Sequence, residues 1–277
     1  MTGNNSNSLQ VANDSKKYIN PKIGIVFIVL IILQFYLLPL TPLASGTDYN
    51  KYINYQSLYT ISSYTIIVLS ILIFRANGLD VFRDHFSLWA IVLACFLAAG
   101  LGREDDAIYK ILLLFLGLML SIYIIANRKS LRTPSLKSVF ISLLWSVGTI
   151  VIIALLLVFL NPIQEAPPPN LLTYIINTFV LQLSFVTAIE EAYFRGLLFG
   201  FLVMNGYKEN TALFVQAILF WGAHYTRITI NPVLFFVAIP ILTLSTTLIT
   251  KKYKMLYPSI IIHTLANVLG PVLVAIF

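Results

Sequence analysis

Residues 139–160 read VFISLLWSVGTIVIIALLLVFL, twenty-two positions without a charged side chain. About 20 apolar residues at ~1.5 Å each span the hydrocarbon core of a bilayer as a helix. Lipid offers the backbone no hydrogen-bond partners, so a spanning segment must pair its own N–H and C=O groups, and a helix does this. The same pattern recurs along the chain. Apolar runs lie at 23–40, 58–74, 86–101, 107–126, 139–160, 171–204, 211–225, 232–250 and 256–277. The run at 211–225 is short for a full crossing, and the run at 171–204 is long enough to tilt, kink or pass the interface. The expected fold is all-α, a polytopic transmembrane bundle of eight or nine helices.

Composition agrees. Of 277 residues, 58% are hydrophobic and 10% are charged, against about a quarter charged in a soluble domain. Aromatic residues, 13% of the chain, favour the two membrane interfaces. The single cysteine, Cys95, excludes an internal disulfide and a cysteine-based metal site. The net charge of +7 comes from basic residues at the ends of apolar runs, which points to orientation and anionic lipid head groups. There is no RNA- or DNA-binding motif, so nucleic acid is not an expected partner.

The basic residues also assign sides. With nine helices and the N-terminus in the cytoplasm, the inside segments hold thirteen: Lys16, Lys17, Lys22, Arg75, Arg83, Arg128, Lys129, Arg132, Lys137, Lys208, Lys251, Lys252 and Lys254. The outside segments hold four: Lys51, Arg103, Lys110 and Arg227. This asymmetry predicts a multi-pass cell-membrane protein with a cytoplasmic N-terminus. Residues 1–20 are polar and read as a tail. Residues 161–170, NPIQEAPPPN, carry four prolines and cannot be helical throughout. They divide the chain into 1–160, a tail and scaffold helices, and 161–277, a catalytic membrane unit.

Ionisable side chains inside membrane helices are expensive unless paired or facing a wet cavity. Three clusters in the C-terminal unit carry them. AIEEAYFRG at 188–196 places Glu191 and Arg195 four apart on one helix face, where they can pair. Its other acid, Glu190, is left free for general-base work. FWGAH at 220–224 sets Phe220 one turn before His224, and HTLAN at 263–267 sets His263 one turn before Asn267. One carboxylate, two imidazoles and an amide suit the activation of water and the stabilisation of an oxyanion. The set Glu190, His224 and His263 could also bind a divalent metal such as zinc, although no HExxH spacing is present. Singly, each cluster has a blander reading: snorkelling charges, a structural histidine, interhelical hydrogen bonding.

Taken in order, Glu190-Glu191-x-x-x-Arg195 followed by Phe194-Arg195-Gly196, then Phe220-x-x-x-His224 and His263-x-x-x-Asn267, resemble the three motifs of the type II CAAX prenyl protease family. This is also called the CPBP or Abi family of intramembrane peptidases. The resemblance covers 171–277. It implies an all-helical membrane fold with a conical cavity opening to lipid or cytoplasm. It also implies hydrolysis of a peptide bond in a membrane-embedded or lipidated substrate, with membrane lipids as surroundings. Eukaryotic members act on prenylated C-terminal tails, and bacterial members are linked to bacteriocin immunity, peptide maturation and membrane-protein processing. By this resemblance Glu190 and His224 activate water, His263 and Asn267 form the oxyanion site, and Glu191, Arg195 and Phe220 support them; this mechanism requires no metal. A binding or immunity protein on the same scaffold is the alternative. A transporter is a third, though the repeated halves it would be expected to show are not found.

Overall fold

In the computed structural model the residues described are 21–34, 49–74, 79–101, 106–160 and 169–276. The expected tail at 1–20, the proline break at 161–168 and the end of the first run, 35–40, lie outside them. Among the described residues there is no β-strand, only an isolated bridge between Asp84 and Arg132. The rest is helix: α1 Pro21–Ile32, α2 Tyr49–Phe74, α3 His85–Leu101, α4 Ala107–Ala126, α5 Leu136–Leu160, α6 Leu171–Met204, α7 Glu209–Ala223, the single turn α8 Arg227–Ile230, α9 Leu234–Tyr253 and α10 Tyr257–Ile276. Each apolar run therefore coincides with one helix, shifted by a few residues at most ends.

Six of these helices are long and apolar enough to cross a membrane: α4, α5, α6, α9, and the stretches Gln56–Phe74 of α2 and Tyr257–Ala275 of α10. Helix α3 has 17 residues and α7 has 15, so α7 reaches about 22 Å and stops inside a hydrocarbon core of about 30 Å. Helix ends are set by local chemistry. The Asp106 carboxylate accepts from the Tyr109 N–H at 3.0 Å and starts α4, and Asn170 does the same for α6 through Thr173. Both satisfy amides that a helix start leaves without partners.

The 34-residue α6 is not one regular helix. Two π-helical turns, Leu183–Thr187 and Ala192–Leu198, flank the α-helical segment Ala188–Glu191. Such turns bond i to i+5 and occur often at functional sites. The Thr187 hydroxyl donates to the Gln182 carbonyl five residues back. Tyr64 of α2 donates to the Ser184 carbonyl at 2.6 Å inside the first of these turns.

The helices share their cores across the proline break. One cluster joins Ile67, Ile71, Leu88, Ile91 and Leu113 with Tyr193, Phe194, Leu197 and Ile260. A second joins Ile150, Ile153 and Leu157 of α5 with Leu242 and Ile249 of α9 and Ile262 and Ala266 of α10. Polar contacts inside the N-terminal helices add to this: Gln34 donates to Ser63 of α2 at 2.8 Å.

The two ends of the bundle differ. At one end four connections are tied together. The Arg132 N–H donates to the Arg83 carbonyl and the His85 N–H to the Arg132 carbonyl. The Arg132 guanidinium donates to the Lys254 carbonyl at 2.9 Å. Ser87 accepts from the N–H groups of Leu256 and Tyr257, and Lys254 pairs with Glu209. Toward this end α6 is buried without interruption from Glu191 to Leu202. Toward the other end its residues are increasingly exposed.

Close packing at the tied end depends on glycine. A Cβ at Gly196 would collide with the Phe82 ring, and one at Gly200 with the Leu79 side chain. Overpacking a rigid contact costs about 1–3 kcal/mol. Gly196→Ala is therefore expected to lower the melting temperature in detergent. Gly148→Ala, where a Cβ meets nothing within 4 Å, is expected to leave it unchanged or raise it.

Candidate active site

The site forms where α6, α7 and α10 approach one another. The π turns of α6 present Glu190 and Glu191 in different directions. Glu191 points into the protein. Its Oε1 lies 3.3 Å from Arg195 Nη1 and 2.8 Å from His263 Nδ1. Both Glu191 and Arg195 are essentially without solvent exposure. Arg195 is held further by Thr246 of α9, at 2.6 Å from Nη2, and its guanidinium sits 3.8 Å from the centre of the Phe220 ring, a cation–π contact. The spacing-based expectation of a Glu191–Arg195 pair agrees with this geometry.

Glu190 points the other way, to a partly open space. Its Oε2 lies 3.7 Å from His224 Nε2 and 3.8 Å from His263 Nε2. The two imidazoles are oriented from behind. His224 Nδ1 is 2.8 Å from the Phe220 carbonyl oxygen, and His263 Nδ1 faces the Glu191 carboxylate. Both of those partners accept only, so each Nδ1 donates and each Nε2 is turned toward Glu190. Phe220 packs against both rings, with centroids 4.7 Å and 5.7 Å away. Glu190 Oε2 has no direct hydrogen-bond partner. Its separations from the two nitrogens exceed a direct bond and suit a bridging water.

Asn267 is placed differently from the expectation. Its Nδ2 donates to Gln182 Oε1 of α6 at 2.8 Å, so one of its two N–H groups is committed to Gln182. Three of the four expected side chains meet directly, and the fourth stands one helical turn along α10 beside Gln182. Sequence reading missed Gln182 and Thr246. It also missed the Thr187–Thr264 hydroxyl pair that joins α6 to α10 at 2.7 Å. Their only sequence signal is a polar residue inside an apolar run.

Glu190, His224 and His263 are also the expected metal set. Among the described residues no group of three or more His, Cys, Asp or Glu side chains is arranged to hold a metal ion. No step below runs through a metal. Two other clefts lie away from these residues. One of about 320 Å³ is lined by Trp145, Thr149, Ile241 and Leu248 between α5 and α9, and another of about 190 Å³ by Phe199, Gly200, Glu209 and Lys254 at the tied end.

Removing one partner of a buried ion pair costs about 3–5 kcal/mol, because the other charge is left uncompensated. Arg195→Ala is expected to lower thermal stability on that scale. Thr246→Val removes one hydrogen bond to a charged group and is expected to cost about 1.5–3 kcal/mol. Melting of the purified variants in one detergent measures both.

The comparisons with known proteins bear on the same region. Residues 148–269 match the family model described as type II CAAX prenyl endopeptidase Rce1-like. The match begins inside α5 and runs through all of the clustered side chains. Among curated proteins and among solved structures there is no match. Over residues 148–269, somewhat under half of its length, the chain is thus similar to the Rce1-like type II CAAX prenyl endopeptidase family.

Proposed function

We propose that the protein is an intramembrane endopeptidase that hydrolyses a peptide bond of a membrane-associated or lipidated polypeptide with a glutamate-activated water. The observation that carries this is the convergence of both histidine Nε2 atoms on the single oxygen Glu190 Oε2. Glu190 and His224 each present a lone pair and need hydrogens between them. A water molecule supplies two, and in doing so it is aligned for attack. Glu190 takes one proton as the water oxygen bonds to the carbonyl carbon of the substrate. His224 holds the water in line, takes the proton from Glu190 at Nε2 and passes it to the leaving amine as the C–N bond breaks.

The oxyanion is served from α10. Protonated at Nε2, His263 donates to the developing charge, while Glu191 accepts from Nδ1 and stabilises the imidazolium. Asn267, with one N–H committed to Gln182, brings its second N–H as the other donor. This reading uses every member of the cluster without a metal.

Removing a general base or an oxyanion donor lowers rates by ~10²–10⁴. Glu190→Gln keeps shape and hydrogen bonding, and it is expected to be well folded and slower by that factor. The assay is proteomics of membranes holding the wild type or this variant, searching for a polypeptide that accumulates uncut. A folded Glu190→Gln protein with wild-type cleavage would end the glutamate mechanism. Activity that a chelator abolishes and one divalent ion restores would replace it with a metal mechanism.

A further inference from the structure

We infer, resting on the peptidase reading, that Gln182 is a substrate-binding residue. Its carboxamide N–H groups hold a main-chain carbonyl of the polypeptide about two residues from the scissile bond, so the substrate has to be unwound at that point.

Helices α6 and α10 meet along a seam of side-chain hydrogen bonds in antiparallel order. His263 bonds Glu191 at 2.8 Å, Thr264 meets Thr187 at 2.7 Å, and Asn267 donates to Gln182 at 2.8 Å. The first two contacts are buried on both sides. The third is partly exposed on both sides, as is Glu190. Gln182 Oε1 is taken by Asn267, and the Gln182 backbone carbonyl accepts from the Thr187 hydroxyl at 3.2 Å. These bonds fix both the main chain and the carboxamide. Nε2 is then turned away from Asn267 with two N–H groups, and among the described residues neither has a partner.

An unpaired amide in such a setting requires a ligand. Gln182 lies within the 34-residue span of α6, and residues 171–189 contain no charged side chain. Lipid offers an N–H group no acceptor, so leaving it open is unfavourable. The acceptor therefore arrives with the substrate. Lipid chains and apolar side chains carry none, whereas every residue of a polypeptide carries a carbonyl oxygen. In a helix that oxygen is already bonded to the N–H four residues on. In an extended stretch it is open and needs a donor. Asn267 follows His263 by one turn, about 6 Å along α10, and His263 Nε2 is itself 3.8 Å from Glu190 Oε2. An extended chain covers ~3.3–3.6 Å per residue, so Gln182 meets a carbonyl about two residues from the one attacked. Asn267 links the two places, with one N–H held by Gln182 and the other at the oxyanion.

Comparing membranes that hold the wild type or Glu190→Gln locates a cut site, and an internally quenched peptide spanning that site is the probe for purified protein in detergent. Gln182→Glu keeps an oxygen for Asn267 and loses both N–H groups. Its KM is expected to rise roughly five- to hundred-fold, because the substrate carbonyl is left unsatisfied. Gln182→Met, of similar length and without either group, is expected to raise KM likewise, and it decides the matter should Gln182→Glu fail to fold. On the substrate side, a thioamide, a poorer acceptor than an amide, replaces each peptide bond flanking the cut in turn. One of these replacements is expected to raise KM for the wild type and to add nothing for Gln182→Met. An unchanged KM in the folded variants overturns the inference, as do thioamide effects that are the same in wild type and Gln182→Met. A lower KM for Gln182→Glu overturns it too, since Gln182 would then be offering an acceptor to substrate N–H groups. Absence of any Glu190-dependent cut defeats the peptidase reading and this inference with it. Glu190-dependent cleavage indifferent to both substitutions of Gln182 defeats the inference alone.

Discussion

The buried carboxylate of Glu191 is the constraint on which the site depends. It is without exposure, accepts from His263 and forms an ion pair with Arg195. A charge in a low-dielectric interior must be compensated locally, because no solvent does it at a distance. Arg195 supplies that charge, and its own burial is relieved by Thr246 and the Phe220 ring. His263 is thereby fixed in position by α6, although it belongs to α10. The Phe220 that covers Arg195 also turns His224 through its carbonyl oxygen. The ion pair thus orients His263 directly, while His224 is oriented by the backbone of the residue whose ring covers Arg195.

The helices were legible in the sequence because lipid requires them. A run such as 139–160 has only one way to pair its backbone, so composition alone predicts α5 to within three residues at its start. The Glu191–Arg195 pair was legible because it is local, four residues apart. The Glu191–His263 bond was not. It joins residues 72 apart, and no spacing rule reaches across separate helices. The same holds for Gln182 with Asn267. The π turns of α6 escaped for a different reason: one extra residue in a turn leaves no mark in an apolar run, where every face is hydrophobic.

Residues 1–160 read as scaffold, and the structure gives that word content. Tyr64 reaches the carbonyl of Ser184 in the π turn before Glu190, and Phe82 and Leu79 occupy the space left by Gly196 and Gly200 behind the Glu191–Arg195 pair. These residues touch none of the reacting groups. They pack against α6 on either side of the segment that carries Glu190 and Glu191.

That division also accounts for the asymmetry of the bundle. A carboxylate that must stay charged and dry needs protein on all sides, whereas a carboxylate that must handle water needs an opening. Adjacent residues on one helix can meet both demands only if the boundary between sealed and open protein passes between them. Glu190 is the partly exposed member of a stretch of α6 otherwise buried from Thr187 to Leu202, and its neighbour Glu191 has no exposure. The tied basic connections lie on the sealed side because the same packing that shelters the ion pair draws those loops together. Which of the two neighbouring glutamates handles water therefore follows from which of them the ion pair with Arg195 claims.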